Sequence, residues 1–149
     1  MKQFHKAVPA VYLLLERNGE ILLMRRRNTG YQDGKYMLPG GKVEGGEPPT
    51  SAAVREAKEE IGVTIHEKDL EAVHVMYRAP HDESGEWVDF FFKTSVWTGE
   101  PSNAEPEKCD KLEWFSYQSL SEAIPPYIVI ALRNSRAGII YSEVDWESK

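Results

Sequence analysis

The stretch from Gly41 to Val63 reads GKVEGGEPPTSAAVREAKEEIGV and predicts a glycine-rich loop followed by a helix. A Pro-Pro pair opens the helix, because proline is favoured in the first helical turn. Ala53, Ala57 and Ile61 recur every four residues and form one apolar stripe. Gly62 follows this stripe, and glycine tolerates the left-handed conformation in which many helices end. The segment therefore predicts an amphipathic helix that packs one face on a core.

Three glutamates of this helix, Glu56, Glu59 and Glu60, stand at i, i+3 and i+4 and share one face. Like charges at this spacing repel, so we expect a positive partner to offset the repulsion. A hard divalent cation such as Mg²⁺ is one candidate, because it prefers carboxylate and carbonyl oxygens and keeps waters for substrate phosphates. A solvated acidic face is the alternative, in which Arg55 and Lys58 pair with the glutamates. The spacing alone leaves both interpretations open.

The remainder of the chain predicts short strands and one further helix. Asn18-Gly19 lies between two apolar runs and predicts a hairpin with a type I′ turn, since both central residues of that turn need a positive φ. Strands with two embedded helices favour an α+β or mixed α/β sandwich. The predicted strands cover 8–17, 20–25, 36–38, 63–65, 72–78, 87–97 and 112–117, and the second helix covers 127–136.

Composition restricts the class of protein. The 149 residues are 41% hydrophobic and 28% charged without a shift along the chain, which predicts one ordered domain over 1–149. The net charge of −6 argues against a nucleic acid polymer as partner, because such binding needs a basic surface. No apolar run approaches the roughly 18 residues of a membrane helix, and the N-terminal stretch has no cleavage site of small residues. The single cysteine, Cys109, excludes an intramolecular disulfide and a cysteine-rich zinc site. From these features together we expect a cytoplasmic monomer or homodimer that binds no membrane.

The order of residues in 41–63 resembles the complete Nudix box. Gly41 is followed after five residues by Glu47, and after seven more by the run REAKEEIGV from Arg55 to Val63. All seven identity-restricted positions and both apolar positions of the box are filled without a gap. With each restricted residue type at roughly 7% usage, a chance match is on the order of 10⁻⁸ per starting point. The flanks are also similar to the family, with an arginine triplet, the run LPGG and a late Trp-Phe pair.

This resemblance implies the Nudix fold, an α/β/α sandwich with a central mixed sheet in which the box forms a loop–helix–loop. It also implies an enzyme that hydrolyses nucleoside diphosphates linked to another group with a metal-activated water. By resemblance, Glu56 and Glu60 are the main ligands of Mg²⁺, for which Mn²⁺ can substitute. Glu59 is a third or a water-mediated ligand, and the carbonyl of Gly40 completes the shell.

The same resemblance assigns roles to the other box residues. Arg55 positions a box glutamate by ion pairing, whereas Glu47, Gly41 and Gly62 are structural. The general base differs between family members, being either the residue that matches Glu56 or a glutamate on a distant loop. The resemblance therefore leaves the base of this chain open.

Glu105 and Glu107 are the loop candidates for that base, in the run NAEPEKC at 103–109. Many Nudix enzymes place an extra metal-binding or basic glutamate in this loop, and EPEKC resembles members that act on nucleoside triphosphates. A plain acidic surface loop is the alternative. Of the two we favour Glu107, because of its spacing to Trp114.

A positively charged segment at 24–42 is the candidate for binding the substrate. Arg25, Arg26 and Arg27 are consecutive in it, and on a strand Arg25 and Arg27 share one face while Arg26 takes the other. Arg26 resembles the phosphate-contacting arginine of MutT-type enzymes. Protection of an edge strand by charge is the alternative for all three.

One position departs from the MutT pattern. That group reads oxidised guanine with an asparagine that stands two residues after a Pro-Pro pair. Here Ile128 stands two residues after Pro126. We therefore expect no dedicated recognition of 8-oxo-dGTP.

These observations together predict an Mg²⁺-dependent pyrophosphohydrolase whose partner is a small-molecule nucleotide. We expect nucleoside triphosphates to be split into monophosphate and pyrophosphate, with ADP-ribose, nucleotide sugars and dinucleoside polyphosphates as alternative substrates. A non-catalytic Nudix domain that senses nucleotides is the alternative from a different class. The intact box argues against it, because sensor domains usually carry a degraded box.

Overall fold

The computed structural model describes residues 2–120 and 122–147. Residues 1, 121, 148 and 149, which belong to the expected single domain, lie outside the described residues. The strands of the described part are β1 Ala7–Arg17, β2 Glu20–Arg26, β3 Tyr36–Met37, β4 Gly40–Lys42, β5 Glu71–Arg78, β6 Glu86–Thr94, β7 Cys109–Ser116 and β8 Tyr141–Val144. The helices are α1 Pro49–Ile61 and α2 Pro126–Arg136, with short 3₁₀ turns at Glu67–Asp69 and Tyr117–Ser119. No helix within the described residues has the length and apolar character to cross a membrane.

Strand β1 is the strand on which the mixed sheet is built. It pairs in parallel with β6 from Ala7 to Leu15, and on its other side Ala10–Tyr12 pair antiparallel with β4. Strand β6 continues the sheet through antiparallel β5 and then parallel β8. A hairpin connects the end of β1 to β2, which pairs antiparallel with both β3 and β7. The predicted mixed sheet is therefore confirmed.

The hairpin between β1 and β2 has the predicted turn. Asn18 has a φ of 55° and Gly19 a φ of 77°. Two consecutive positive φ values are the requirement of a type I′ turn, which asparagine and glycine meet at low cost. The turn sets the pairing of Arg17 with Glu20 and thereby the register in which Arg26 reaches the end of β2.

Alternating side chains of β1 place a helix on each face of the sheet. Tyr12 and Leu14 belong to a buried cluster that includes Ile128 of α2, whereas Leu13 belongs to a second cluster that includes Ala57 of α1. Successive strand residues point to opposite faces, and full burial of each leucine contributes roughly 1.5–3 kcal/mol. The α/β/α sandwich that the resemblance implied is confirmed.

Helix α1 begins and ends where the sequence predicts. Pro48 is its extended N-cap and Pro49 its first residue. Gly62 ends it in the left-handed conformation, with a φ of 70°, and donates its N–H to the carbonyl of Lys58. The buried residues are those of the predicted stripe together with Ala52. Because α1 packs on β1 and β4, its acidic face lies beside the glycine-rich strand that precedes it.

The sequence prediction differs from the structure in several short segments. Strand β6 ends at Thr94, so residues 95–97 lie outside it, and β7 begins at Cys109, three residues earlier than predicted. Strand β4, Gly40–Lys42, was not predicted; it pairs with β1, and glycine at position 40 allows the backbone to approach that of Val11 closely. Residues 63–65 form no strand, since only Thr64 bridges to Thr98. Strand β8 was not predicted, because its four residues show no apolar alternation and it pairs with β5 through backbone hydrogen bonds.

Candidate active site

A cavity of about 770 Å³ opens at β4 and the acidic face of α1. Part of its wall comes from the box, namely Gly40, Gly41, Arg55, Glu56, Glu59 and Glu60. Another part comes from β1, β2, β5 and β6 and from the loops that follow β2 and β5, namely Tyr12, Arg26, Tyr31, Arg78, His81 and Trp87. The cavity therefore has two parts. One is the acidic cluster of α1, formed by Glu56, Glu59 and Glu60, and the other is an aromatic compartment lined by Tyr31, His81 and Trp87.

Arg55 holds the box glutamates together. Its Nε and Nη2 donate to the two carboxylate oxygens of Glu47, at 3.2 and 2.7 Å. Its Nη1 donates to Glu56 at 3.2 Å and to Glu59 at 3.3 Å. The bidentate pair with Arg55 holds the pKa of Glu47 below its usual range, with a second contribution from the N–H of Glu44. The ion pairing that the resemblance assigned to Arg55 is thus present in the geometry.

Glu56 and Glu60 are acids in a partly buried position. Burial raises the pKa of Glu56 to about 7, and Glu59 and Glu105 add to the rise while Arg55 opposes it. Burial also raises the pKa of Glu60, and the charge of Glu56 adds to that rise. One Glu60 oxygen accepts the N–H of Gly40 at 2.7 Å. Two neighbouring acids that burial disfavours as anions remain ionised together only when a cation lies beside them.

The donor set fits a hard divalent cation. The carboxylates that line this part of the cavity, Glu56, Glu59, Glu60 and Glu105, offer oxygen atoms, which are the ligands that Mg²⁺ prefers. Within 2–120 and 122–147, no three His, Cys, Asp or Glu side chains already form a shell that could hold a metal ion. The side chains instead contact Arg55 and the N–H of Gly40. Each of these contacts uses one carboxylate oxygen, so the second oxygen of Glu56, Glu59 and Glu60 is left to bind a cation.

Gly41, the first residue of the box, and Gly40 before it have no room for a side chain, each because of a different neighbour. A Cβ on Gly41 would lie 2.2 Å from an oxygen of Glu56. A Cβ on Gly40 would lie 2.1 Å from the backbone oxygen of Val11. The first clash falls on a flexible acidic side chain and the second on a strand of the core.

Alanine at Gly41 is therefore expected to reduce activity while keeping the fold. Glu56 must move to make room, and misplacing a catalytic group by about 1 Å costs on the order of a hundredfold in rate. We expect kcat to fall by about that factor, with a melting temperature close to that of the wild type. The matched variant Gly40→Ala should instead lower the melting temperature, because the backbone of Val11 cannot move cheaply. Steady-state kinetics and thermal unfolding of both variants check this, and equal losses of stability in the two would contradict it.

The loop glutamates differ in position. Glu105 lines the cavity, and its charge raises the pKa of both Glu56 and Glu60. Glu107 is exposed and does not belong to the cavity lining. Asn103 fixes this arrangement, because its side chain donates to the carbonyl of Cys109 and accepts the N–H of Glu105. The structure thus places Glu105 at the cavity and Glu107 outside its lining, whereas spacing to Trp114 had favoured Glu107.

The three consecutive arginines have three different surroundings. Arg26 lines the cavity and donates its Nε to the carbonyl of Tyr31 at 2.6 Å. It lines the same cavity as Glu60, and its charge partly opposes the rise that burial causes in the pKa of Glu60. Arg25 forms an ion pair with Asp110 at 2.7 Å, and Arg27 is exposed; neither lines the cavity. Arg27 lies beyond the end of β2, so the alternation expected of the three on a strand reaches only Arg25 and Arg26. Of the three, only Arg26 is in place to contact a substrate in the cavity.

The aromatic compartment contains an arginine that sequence reasoning missed. Arg78 at the end of β5 is buried, donates to Asp89 of β6, and stacks on Trp87 and Tyr127. An arginine and an aspartate at the inward positions of neighbouring strands are the available signal, since charged residues are rarely buried unless paired.

Ile128 does not have the place that the MutT comparison suggested. Its side chain is fully buried in the core cluster beneath α2 and is not part of the cavity lining. Ile128 therefore gives no ground for expecting or excluding recognition of 8-oxo-dGTP. Asn28, on the loop after β2, is the side-chain amide that lines the cavity.

Comparison with known proteins identifies the family. Residues 4–133 match the family model of the NUDIX domain. The chain is 34% identical over 118 residues to an 8-oxo-dGTP diphosphatase of Escherichia coli, covering 78% of this chain and 86% of that protein. It is 37% identical over 117 residues to an ADP-ribose pyrophosphatase of Methanocaldococcus jannaschii, covering 78% of this chain and 65% of that protein.

Solved structures agree as well. A MutT NUDIX hydrolase from Burkholderia pseudomallei superposes with a TM-score of 0.77 at 28% identity, covering 87% of this chain and 98% of that one. The chain is thus similar to these proteins in both sequence and fold. The chain belongs to the Nudix family, as a MutT-like hydrolase that acts on phosphoric anhydride bonds.

Proposed function

We propose that this hydrolase is Mg²⁺-dependent and converts nucleoside triphosphates into monophosphate and pyrophosphate. The observation that carries the proposal is the continuous cavity, which joins the carboxylates of α1 to a compartment lined by Tyr31, His81 and Trp87. A triphosphate chain next to the carboxylates leaves its nucleoside next to these aromatic rings. The similarity to a protein named 8-oxo-dGTP diphosphatase supports the same class of substrate.

Glu56 and Glu60 would hold the cation, with Glu59 and the carbonyl of Gly40 completing its shell. When bound, the cation neutralises phosphate charge and lowers the pKa of a bound water. It also offsets the repulsion between two neighbouring acids that burial already penalises. This accounts for an acidic chain that binds a polyanion, because the ion reverses the local sign of charge.

The residues of the chain supply positioning and proton transfer. Arg55 orients Glu56 and Glu59 through its Nη1 while Glu47 holds its other nitrogens. Glu105 is the general base in this proposal, because it is the loop glutamate that lines the cavity. Arg26 binds a substrate phosphate, as a charged donor beside the acidic cluster.

Removing the guanidinium of Arg26 tests the phosphate contact. A charge-assisted hydrogen bond contributes roughly 1.5–3 kcal/mol, so we expect Arg26→Ala to lower kcat/KM by about tenfold to a hundredfold, mainly through KM. Arg25→Ala is the matched control, because Arg25 pairs with Asp110 outside the cavity lining. Kinetics of both variants at low and high salt check the contact. Strand β2 is paired on both sides, with β3 and with β7, so protection of an edge does not explain this arginine. Equal kinetics of Arg26→Ala and wild type would contradict the phosphate contact.

A substrate panel tests the proposed reaction. The rates of nucleoside triphosphates, ADP-ribose, a nucleotide sugar and a dinucleoside polyphosphate are measured with Mg²⁺, with Mn²⁺ and with chelator. We expect triphosphates to have the highest kcat/KM and chelator to abolish turnover. ADP-ribose is the second candidate, because of the similarity to a protein named ADP-ribose pyrophosphatase, and a higher kcat/KM for it would replace the proposal.

A further inference from the structure

Arg78 is held in a fixed orientation at the wall of the aromatic compartment. Its Nε donates to one oxygen of Asp89 at 2.6 Å and its Nη2 to the other at 3.2 Å. The guanidinium lies 4.1 Å from the centre of the Tyr127 ring and 5.2 Å from that of Trp87. The side chain of Arg78 is 5% exposed and that of Asp89 is fully buried. Such a pair cannot rotate freely, so its remaining donors point in a defined direction.

The remaining donors belong to Nη1 and the second hydrogen of Nη2. Among residues 2–120 and 122–147, the structure gives the side chain of Arg78 one hydrogen-bond partner, Asp89. No buried side-chain nitrogen or oxygen in this part of the chain lacks a partner, so Nη1 is accessible. Arg78 lines the cavity. Because Asp89 holds the Nε side of the guanidinium, the Nη1 side is the part left to meet a substrate in this cavity.

The surroundings of this edge suit a flat, uncharged group. The rings of Tyr31 and His81 lie 5.9 Å apart, and those of His81 and Trp87 lie 6.0 Å apart. Aromatic rings stack on nucleobases and on guanidinium groups alike. The carboxylate of Asp89 balances the charge of Arg78, so the pair offers directed N–H groups without a net charge. Arg26, which lines the cavity with the acidic cluster and pairs with no carboxylate of the described residues, suits a phosphate better than Arg78 does.

We infer that Arg78, oriented by Asp89, reads the base of the substrate and selects an edge with two adjacent acceptors. Guanine offers such an edge in O6 and N7, and a planar arginine fork matches it with two hydrogen bonds. Adenine presents a donor beside N7, which opposes a guanidinium. This inference rests on the proposed function, because it names the base of a nucleotide that the cavity is proposed to bind.

Substrate variants test the inference on the unmodified protein. We expect kcat/KM for dGTP to exceed that for dATP by about tenfold to a hundredfold, the discrimination that one bidentate pair supplies. Replacing N7 by carbon, in 7-deaza-dGTP, removes one acceptor and should lose a large part of this preference. Equal kcat/KM values for dGTP, 7-deaza-dGTP and dATP would overturn the inference.

A protein variant ties the preference to the residue. Arg78→Lys keeps a positive charge opposite Asp89 but removes the planar fork. We expect the ratio of kcat/KM for dGTP to that for dATP to fall close to one. The matched control is Arg136→Lys, because Arg136 stacks on Tyr117 at 4.1 Å outside the cavity lining and should leave the ratio unchanged. A ratio that Arg78→Lys leaves at its wild-type value would overturn the assignment, and if the variant does not fold, the comparison of substrates decides alone.

Binding of monophosphates separates this inference from the proposed function. Titration calorimetry with dGMP and dAMP measures base preference without any turnover. Tighter binding of dGMP by the wild-type protein, lost in Arg78→Lys, would support the inference even if no triphosphate is hydrolysed, in which case only the proposed function fails. Equal affinity for dGMP and dAMP would overturn the inference even where triphosphates are hydrolysed.

Discussion

Replacement of Glu60 by glutamine is expected to lower kcat by at least about a thousandfold, because losing a metal ligand removes several kcal/mol of transition-state stabilisation. The glutamine keeps an oxygen that can accept the N–H of Gly40, as Glu60 does now. Burial opposes the charge of Glu60, so the neutral amide should not lower the melting temperature of the metal-free protein. Kinetics, thermal unfolding and calorimetric titration with Mg²⁺ and Mn²⁺ measure the three effects.

Glu71→Gln is the control for this variant. Glu71 lies at the exposed start of β5, and its nearest charged partner, Lys93, is 3.9 Å away. We expect its kcat and its affinity for cations to match those of the wild type. A Glu60→Gln protein that retained more than about a tenth of wild-type turnover, a loss of only ~1.4 kcal/mol, would show that Glu60 is not a metal ligand.

The second large effect is expected at the loop between β6 and β7. If Glu105 takes the proton from the attacking water, Glu105→Gln should lower kcat by roughly 10²–10⁴, the usual contribution of a general base, with little change in KM. Glu107→Gln is the matched control two residues away, because Glu107 is exposed and outside the cavity lining. We expect Glu107→Gln to retain kcat within about twofold. A loss of activity in Glu107→Gln but not in Glu105→Gln would restore the assignment drawn from sequence.

The helix and the hairpin could be predicted because local chemistry determines them. Proline at the start of α1, glycine at its end and an apolar stripe between them act over one to four residues. The turn at Asn18 and Gly19 depends on two φ values that few other residue pairs adopt as easily. Helix α1 brings Arg55 and the glutamates at 56, 59 and 60 together, so the acidic part of the site could be predicted from the sequence.

The other side of the cavity depends on contacts between distant segments. Arg78 and Asp89 meet only because β5 and β6 pair in one register, and no local pattern specifies that register. The choice between Glu105 and Glu107 depends on the hydrogen bonds of Asn103, which fold the loop in a way that residue spacing does not predict. The buried position of Ile128 likewise follows from the packing of α2 against the sheet.

The most direct test is the identity of the products released from dGTP, followed by ³¹P NMR with Mg²⁺ and again with excess chelator. We predict dGMP and pyrophosphate in equal amounts with Mg²⁺, and no turnover with chelator. Release of dGDP and inorganic phosphate, or an undiminished rate in chelator, would contradict the proposed metal-dependent pyrophosphohydrolase.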